Sequence, residues 1–218
     1  MTDLILASAS PRRADILRMM GLRFRIVPSG VDECLDAPLP PADHVLQISR
    51  RKALAVARGE KAGLVLGADT VVALGDEILE KPVDAADAHR MLAHLSGKTH
   101  KVFTGLTLAS EGGSRAISDV AATDVSVRCL EENEIEAYVA TGEPLDKAGA
   151  YAAQGMAAVF IQSVSGCFLN VVGLPMTLLW SMLARELGSS PWDLVTEAPR
   201  PSGLFTSPDG PVSPGQTP

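Results

Sequence analysis

Aromatic residues and cysteines are scarce in this 218-residue sequence. Aromatics make up 4% of the chain and all hydrophobic residues 46%, so a sizeable core must be built from aliphatic side chains and alanine. The three cysteines, Cys34, Cys129 and Cys167, are far apart and form no CxxC pair. We therefore predict three reduced, mostly packed thiols in a reducing compartment.

The sequence also lacks an excess of positive charge, because its formal net charge is -7. A general nucleic-acid binder normally carries a basic stripe, so this charge argues against one. An anionic small molecule is not excluded, since a few local cations can focus a field inside a cleft. No charged n-region precedes an apolar run, and no apolar stretch reaches membrane-spanning length. We therefore expect a soluble cytoplasmic protein that contacts neither nucleic acid nor a membrane.

Apolar periodicity and turn residues indicate intermixed strands and helices. Leu4–Ala7 predicts a short buried strand, after which Ser10 and Pro11 suit the N-cap and first position of a helix. The other predicted elements are a strand over Phe24–Val27, a helix over Asp43–Arg58, a hairpin around Gly75-Asp76, a helix capped by Asp84, two long strands in HKVFTGLTLAS and SRAISDVAATDVSVRCL, a helix over Glu131–Ala140, a hairpin of AAVFIQ and CFLNVV, and a helix from Pro175 to Gly188. This pattern favours an α/β fold with a mixed sheet.

The composition changes abruptly after Gly188. The last 22 residues, EAPRPSGLFTSPDGPVSPGQTP, are rich in proline, glycine and serine and offer almost nothing to bury. We therefore predict one folded domain over 1–188 and a disordered tail over 189–218.

Arg12 and Arg13 look misplaced in LILASASPRR, because they would occupy the second and third positions of the helix that follows Ser10. The helix dipole is positive at that end and favours carboxylates. One interpretation is a solvated pair that tolerates a small repulsion. The other is that helix amides, both arginines and the hydroxyls of Ser8 and Ser10 bind an anion together. The stretch is no Walker loop, since the glycines and GK[ST] are absent.

Lys52 and Asp69 are charged residues in apolar settings. Lys52 lies seven residues after Val45, on the helix stripe that should face the interior, so it either snorkels to the surface or points into a cleft. Asp69 lies in the apolar strand VLGADTVV, where an unpaired carboxylate is costly to bury. It is either a hydrogen-bonded core residue or a catalytic or metal-binding carboxylate, and the polar Thr70 beside it favours the second.

Glu33 in GVDE, Lys81 in EKP and Asp146-Lys147 in LDKAGAY are weak signals singly, since charges in loops are usually solvated. If they converge with the arginines and Lys52, they describe a polyphosphate site in which cations contact phosphates and carboxylates hold a hard metal such as magnesium. The histidines show no metal-binding spacing and are interpreted as surface or capping residues; they are His44, His89, His94 and His100.

A series of segments, in fixed order, resembles the Maf family of nucleoside triphosphate pyrophosphatases, which looks related to the inosine triphosphate pyrophosphatase superfamily. The segments are LILASASPRRADIL, PSGVDE, ISRRKALAVA, VLGADTVV, EKPVDAADAHRML, LSGKTHKVFTG, EPLDKAGAYAAQG and NVVGLP, spanning about residues 3–187. The resemblance implies an elongated mixed β-sheet flanked by helices, with a central cleft between two lobes. It also implies hydrolysis between the α- and β-phosphates of a nucleotide with a divalent metal, Mg²⁺ or Mn²⁺, and suggests a homodimer.

Residue roles follow from the resemblance by position. Asp69 matches the family's proposed general base, and we expect it either to take a proton from the attacking water or to hold the metal together with Glu33. Arg12, Thr70 and Gln154 match positions linked to substrate choice. Positions that match the other polar residues of the family's cleft are Ser8, Arg13, Glu33, Lys52 and Lys81.

Two local features resemble one branch of the family, which acts on dTTP, UTP and modified pyrimidine nucleotides. They are GADTVV with Thr70 and DKAGAYAAQG with Gln154, whose amide carries a donor and an acceptor that suit the imide edge of uracil or thymine. Two alternatives stay open. One is the 7-methyl-GTP pyrophosphatase branch, which typically has a glutamate in place of Gln154. The other is a nucleotide-binding regulator of septum formation and cell division whose hydrolysis is incidental.

Overall fold

The computed structural model describes residues 3–35 and 37–195. Within these ranges the helices are α1 (Pro11–Met19), α2 (Pro41–Ala57), α3 (Ala85–Leu95), α4 (Glu132–Ala140), α5 (Phe168–Val172) and α6 (Met176–Leu187). The strands are β1 (Leu4–Leu6), β2 (Phe24–Ile26), β3 (Leu64–Leu74), β4 (Glu77–Leu79), β5 (Thr99–Ser110), β6 (Arg115–Val127) and β7 (Ile161–Ser165).

All of these strands join one mixed sheet in the order β2-β1-β3-β5-β6-β7, with β4 paired to the far end of β3. The pairs β1–β2 and β1–β3 are parallel, whereas β3–β5, β5–β6 and β6–β7 are antiparallel. The prediction of a mixed sheet flanked by helices is confirmed.

The two largest clusters of buried apolar side chains lie at opposite ends of β3 and β5, and they form the cores of two lobes. The first lobe packs α1 and α6 against residues such as Leu66 and Leu106. The second packs α3 and α4 against residues such as Val72 and Val102. Asp69 lies on the stretch of β3 between these clusters, where the sheet passes from one lobe to the other.

Helix α2 lies so close to the sheet that two strand positions have no room for a side chain. A Cβ on Gly67 of β3 would lie 2.7 Å from the backbone nitrogen of Ala53, and one on Gly105 of β5 would lie 2.8 Å from that of Leu46. Real Cβ atoms do not approach backbone atoms so closely, so both positions require glycine. This contact between backbones fixes the height of Lys52 above the sheet.

The predicted hairpin of AAVFIQ and CFLNVV is wrong. Residues Met156–Phe160 form a 3₁₀ turn, β7 pairs with β6, and the second half of the motif is the short helix α5. Its buried Asn170 donates through Nδ2 to the Val102 carbonyl at 2.9 Å and to Thr123 Oγ1 at 3.0 Å. These bonds turn the segment onto the sheet, and a run of five residues is too short to show helical periodicity.

The predicted tail starts too early. Residues Pro191–Leu194 form a 3₁₀ turn capped by Ser190, Leu194 is buried in the first lobe, and Val195 bridges to Leu22. The rest of the predicted tail, 196–218, lies outside the described residues. None of the helices in the described part of the chain combines the length and the apolarity that a membrane crossing needs.

The three cysteines are free, but two of them are not packed as predicted. Cys34 and Cys129 are exposed and Cys167 is half-buried. The first two lie in connections between secondary-structure elements, where little packs over them.

Candidate active site

A cleft of about 830 Å³ lies between the two lobes. Its walls come from the β1–α1 connection, the middle of β3, the loop over 28–33, the segment over 143–155 and the end of α5. The cleft brings together all of the predicted site residues, which are Ser8, Arg12, Arg13, Glu33, Lys52, Asp69, Thr70, Lys81 and Gln154.

Lys52 joins the two predicted carboxylates. Its Nζ lies 2.8 Å from Asp69 Oδ1 and 2.8 Å from Glu33 Oε1. The Lys52 and Asp69 side chains are 7% and 9% exposed, so the lysine does not snorkel to the surface and the aspartate is not left unpaired. Glu33 is exposed on its loop and reaches the ammonium from the solvent side. The arrangement is one ammonium between two carboxylates on the wall of the cleft.

Arg13 is built into the wall of the cleft by three neutral acceptors. Its Nε donates to the Gly173 carbonyl at 3.0 Å, Nη1 to Ser8 Oγ at 3.0 Å and Nη2 to Thr70 Oγ1 at 3.1 Å. Burial lowers the pKa of Arg13, and the nearby carboxylates of Asp69 and Glu33 oppose that shift. A guanidinium has five N–H donors, so part of the group stays available to an anion.

Arg12 and Lys81 make no hydrogen bond or ion pair with the described residues. Arg12 is half-buried on α1, whose first turn has no acidic residue, and Lys81 is exposed after β4. Both face the cleft, where their charge and the positive end of the α1 dipole add to each other. An anion bound there offsets the repulsion that makes the arginines look misplaced in the sequence.

Thr70 and Gln154 lie on different walls of the cleft, and their side chains differ in how firmly hydrogen bonds hold them. The Thr70 hydroxyl receives the Arg13 hydrogen bond and lies 2.9 Å from Thr104 Oγ1 on β5, so its position is fixed. Gln154 is exposed on the 143–155 segment, and its amide bonds to none of the described residues. The amide is therefore available to a ligand.

A family model described as Maf-like protein matches residues 3–186. The chain belongs to the Maf family. It is 46% identical over 179 residues to a dTTP/UTP pyrophosphatase of Desulforamulus reducens, covering 82% of this chain and 94% of that protein. It is 47% identical over 185 residues to a dTTP/UTP pyrophosphatase of Pelotomaculum thermopropionicum, covering 85% and 97%.

Among solved structures, the Ham1 protein of Staphylococcus aureus gives a TM-score of 0.49 at 14% identity and covers 85% of this chain and 100% of that one. A relation to the inosine triphosphate pyrophosphatase superfamily stays a prediction.

The two carboxylates of this Maf-family cleft suit a hard divalent cation only with help from a ligand. No cluster of three or more histidine, cysteine or acidic side chains forms a metal site among the described residues. Asp69 and Glu33 each contact Lys52 through one carboxylate oxygen. The second oxygen of each forms no hydrogen bond with the described residues. Two carboxylates with substrate phosphates are a set that Mg²⁺ accepts. The donor set therefore fits a metal that arrives with a phosphate ligand.

A second polar layer around the cleft was missed by sequence reasoning. His100, predicted at the surface, is instead buried, and its Nε2 lies 2.8 Å from the hydroxyl of Tyr151, which lines the cleft. Burial lowers the pKa of His100 to about 4. Glu143 also lines the cleft and accepts a hydrogen bond from Tyr138. Tyr138 and Tyr151 are the only two tyrosines of the chain, and this scarcity is the one feature of the sequence that draws attention to them.

Proposed function

We propose that this Maf-family protein is a nucleoside triphosphate pyrophosphatase, a hydrolase of acid anhydrides. It acts on dTTP, UTP and modified pyrimidine nucleotides, as its relatives' names indicate, and releases a nucleoside monophosphate and pyrophosphate. The observation that carries the proposal is the buried Lys52–Asp69 pair in one cleft with Arg12 and Lys81, which pair with none of the described residues. A site that only binds polyanions needs the cations but has no use for carboxylates beside them.

The reaction is an in-line attack of water on the α-phosphorus. The new oxygen–phosphorus bond forms as the bond from the α-phosphorus to the bridging oxygen breaks, and that oxygen leaves with pyrophosphate. Asp69 takes the proton of the water, a role for which its second oxygen, which faces no described donor, is available. Asp69 as a metal ligand is the other assignment, because a bound cation acidifies its water.

The cations of the cleft balance the charge of the substrate. Arg12 and Lys81 approach the phosphates from the two lobes, and Arg13 adds its remaining N–H donors. Because Arg13 is held by three hydrogen bonds before the substrate arrives, it stabilises the charge on leaving pyrophosphate without reorganising. Ser8 contributes indirectly, since its hydroxyl holds Arg13 Nη1 at 3.0 Å.

Glu33 and Asp69 would hold the proposed divalent cation, Mg²⁺ or Mn²⁺, together with substrate phosphates. When bound, the cation supplies Lewis-acid polarisation of phosphoryl oxygens. A cation held there would compete with the Lys52 ammonium for the two carboxylates. The flexible stem of Lys52 would let the ammonium turn from Asp69 to a phosphate oxygen.

The base is recognised by Gln154, which can donate to and accept from the imide edge of uracil or thymine at once. Thr70 lies on another wall of the cleft, where its fixed hydroxyl limits the space that the substrate can occupy. The substrates belong to nucleotide pools, so we place the protein in the cytoplasm; a homodimer stays a prediction.

A panel of nucleoside triphosphates tests the proposal. Purified protein with Mg²⁺ or Mn²⁺ is given UTP, dTTP, CTP, GTP, ATP and 7-methyl-GTP, and pyrophosphate and orthophosphate are measured separately. We expect pyrophosphate from UTP and dTTP. Preference for 7-methyl-GTP would assign the protein to the other branch. UTP binding without pyrophosphate release would support the regulator of cell division.

A further inference from the structure

The segment that carries Gln154 is held at both ends. The backbone N–H of Ala152 donates to the hydroxyl oxygen of Tyr138 at 3.3 Å. The backbone N–H of Met156 donates to Glu143 Oε2 at 3.2 Å. Gln154 lies midway between these two anchored residues, so its Cα has little freedom to move.

The two anchors are themselves joined. Tyr138 Oη donates to Glu143 Oε1 at 2.9 Å, so one hydroxyl and one carboxylate link both ends of the segment. Tyr138 lies on α4 with its ring buried in the second lobe, in an edge-on contact with Phe160 at 5.3 Å between ring centroids. Burial and the neighbouring carboxylate raise the pKa of Tyr138, which keeps the hydroxyl protonated and able to donate.

Gly155 completes the arrangement. A Cβ at this position would lie 2.6 Å from Glu143 Oε2, so the carboxylate fills the space of a side chain. The Gly155 N–H donates to the Ala152 carbonyl at 2.9 Å and closes the turn. A side chain at position 155 would therefore displace the Glu143 carboxylate from its hydrogen bonds with Tyr138 and Met156.

We propose that Tyr138 and Glu143 form a clamp that positions Gln154 and thereby sets the choice of nucleotide base. The clamp fixes the backbone, while the Gln154 amide bonds to none of the described residues and stays free for the base. Anchoring the backbone limits the positions that the Gln154 amide can reach, so less conformational freedom is lost when its donor and acceptor align with an imide edge. The role in base choice rests on the proposed function.

Tyr138→Phe tests the clamp, because Tyr138 is not part of the cleft lining. The variant removes the hydroxyl shared by Ala152 and Glu143 and keeps the buried ring. We expect KM for UTP and dTTP to rise about tenfold, the value of one lost hydrogen bond, with kcat within about twofold of wild type. KM for GTP should not change. Thr99→Val, which removes an exposed hydroxyl bonded to Ser126, is the matched control and should leave the constants unchanged.

Tyr138→Phe in a Gln154→Ala background distinguishes an effect that acts through Gln154 from a general effect on the stability of the fold. If the clamp acts through Gln154, Tyr138→Phe adds no further loss of UTP selectivity there. An additive loss in the double variant would overturn the proposal. Glu143→Gln provides a second variant, since an amide oxygen replaces only one of the two acceptor oxygens, and it should behave like Tyr138→Phe.

Hydrogen exchange of the free protein gives a readout that needs no activity. The amides of Ala152 and Met156 should be protected in the wild type and exchange about tenfold faster in Tyr138→Phe. Unchanged exchange in Tyr138→Phe and in Glu143→Gln would overturn the clamp. A wild-type protein that hydrolyses no UTP would refute the proposed function instead, and the exchange data would still decide whether the clamp exists.

Discussion

The Nζ of Lys52 lies 2.8 Å from Asp69 Oδ1, and both side chains are less than one-tenth exposed. Each charge is tolerated in the wall of the cleft because the other is there, since a buried ion without a partner costs several kcal/mol. Glu33 adds a second carboxylate at 2.8 Å from the same ammonium. We therefore expect Lys52 and Asp69 to exchange each other for a phosphate and a cation when these enter the cleft.

Asp69→Asn should abolish turnover and leave nucleotide binding largely intact. The amide can neither take a proton from water nor hold a metal as a carboxylate does, so kcat for UTP should fall by at least about 100-fold. Pyrophosphate release measures the loss, and calorimetric titration with UTP measures binding. Asp76→Asn, in the exposed turn between β3 and β4, is the control. Full activity of Asp69→Asn would remove this residue from the mechanism.

Lys52→Met should strengthen the binding of Mn²⁺ in the absence of nucleotide. Methionine preserves the length of the side chain but leaves the Glu33 and Asp69 carboxylates without their ammonium partner. We expect the affinity for Mn²⁺ alone to rise about tenfold or more, corresponding to about 1.4 kcal/mol. The dissociation constant of Mn²⁺ is measured by calorimetric titration, or from the concentration of unbound Mn²⁺ by electron paramagnetic resonance. Lys61→Met on an exposed turn is the control, and equal affinities in both variants would contradict the exchange of partners.

Arg13→Lys should destabilise the fold although it conserves charge. One ammonium cannot span the three acceptors that the guanidinium joins, which are Ser8, Thr70 and the Gly173 carbonyl. We expect the free energy of unfolding in urea to fall by about 2 to 3 kcal/mol, because buried acceptors lose their donors. Arg18→Lys, which keeps the charge beside Asp15 and over the Phe24 ring, should cost under about 0.5 kcal/mol. A loss no larger for Arg13→Lys would show that its hydrogen bonds contribute little.

His100 should make the protein less stable as the pH falls from about 6.5 to about 4. Burial lowers its folded-state pKa to about 4, so only the unfolded chain takes up this proton between those values. Stability is fully present above the unfolded-state pKa, and up to about 3 kcal/mol is lost across the window. The double variant His100→Phe with Tyr151→Phe removes both polar partners and should flatten this part of the unfolding profile. His44→Gln should retain the wild-type slope, and an unchanged slope in the double variant would contradict the assignment.

Much of the fold follows from local signals in the sequence. Ser10 and Pro11 start α1 as predicted, and Asp84 caps α3 by accepting from the Asp87 N–H at 2.8 Å. Lys52 on an apolar helix stripe and Asp69 in an apolar strand both pointed to the cleft, because a charge at a buried position must be paired.

The parts that sequence reasoning missed depend on contacts between distant segments. His100 and Tyr151 are 51 residues apart, and nothing near either one predicts their bond. Helix α5 depends on the bonds of Asn170 to β5 and β6. Nothing in the sequence singles out Glu143, since its role depends on the fold of the segment up to Met156.

The close approach of α2 to the sheet at Gly67 and Gly105 has an evolutionary consequence. The wall that carries Lys52 and Asp69 has no room for even one added methyl group, so its spacing cannot drift through small substitutions. The wall that carries Gln154 consists of short turns tied by a few exchangeable side chains. Changes around Gln154 can therefore alter the proposed choice of base without moving the wall that carries Lys52 and Asp69.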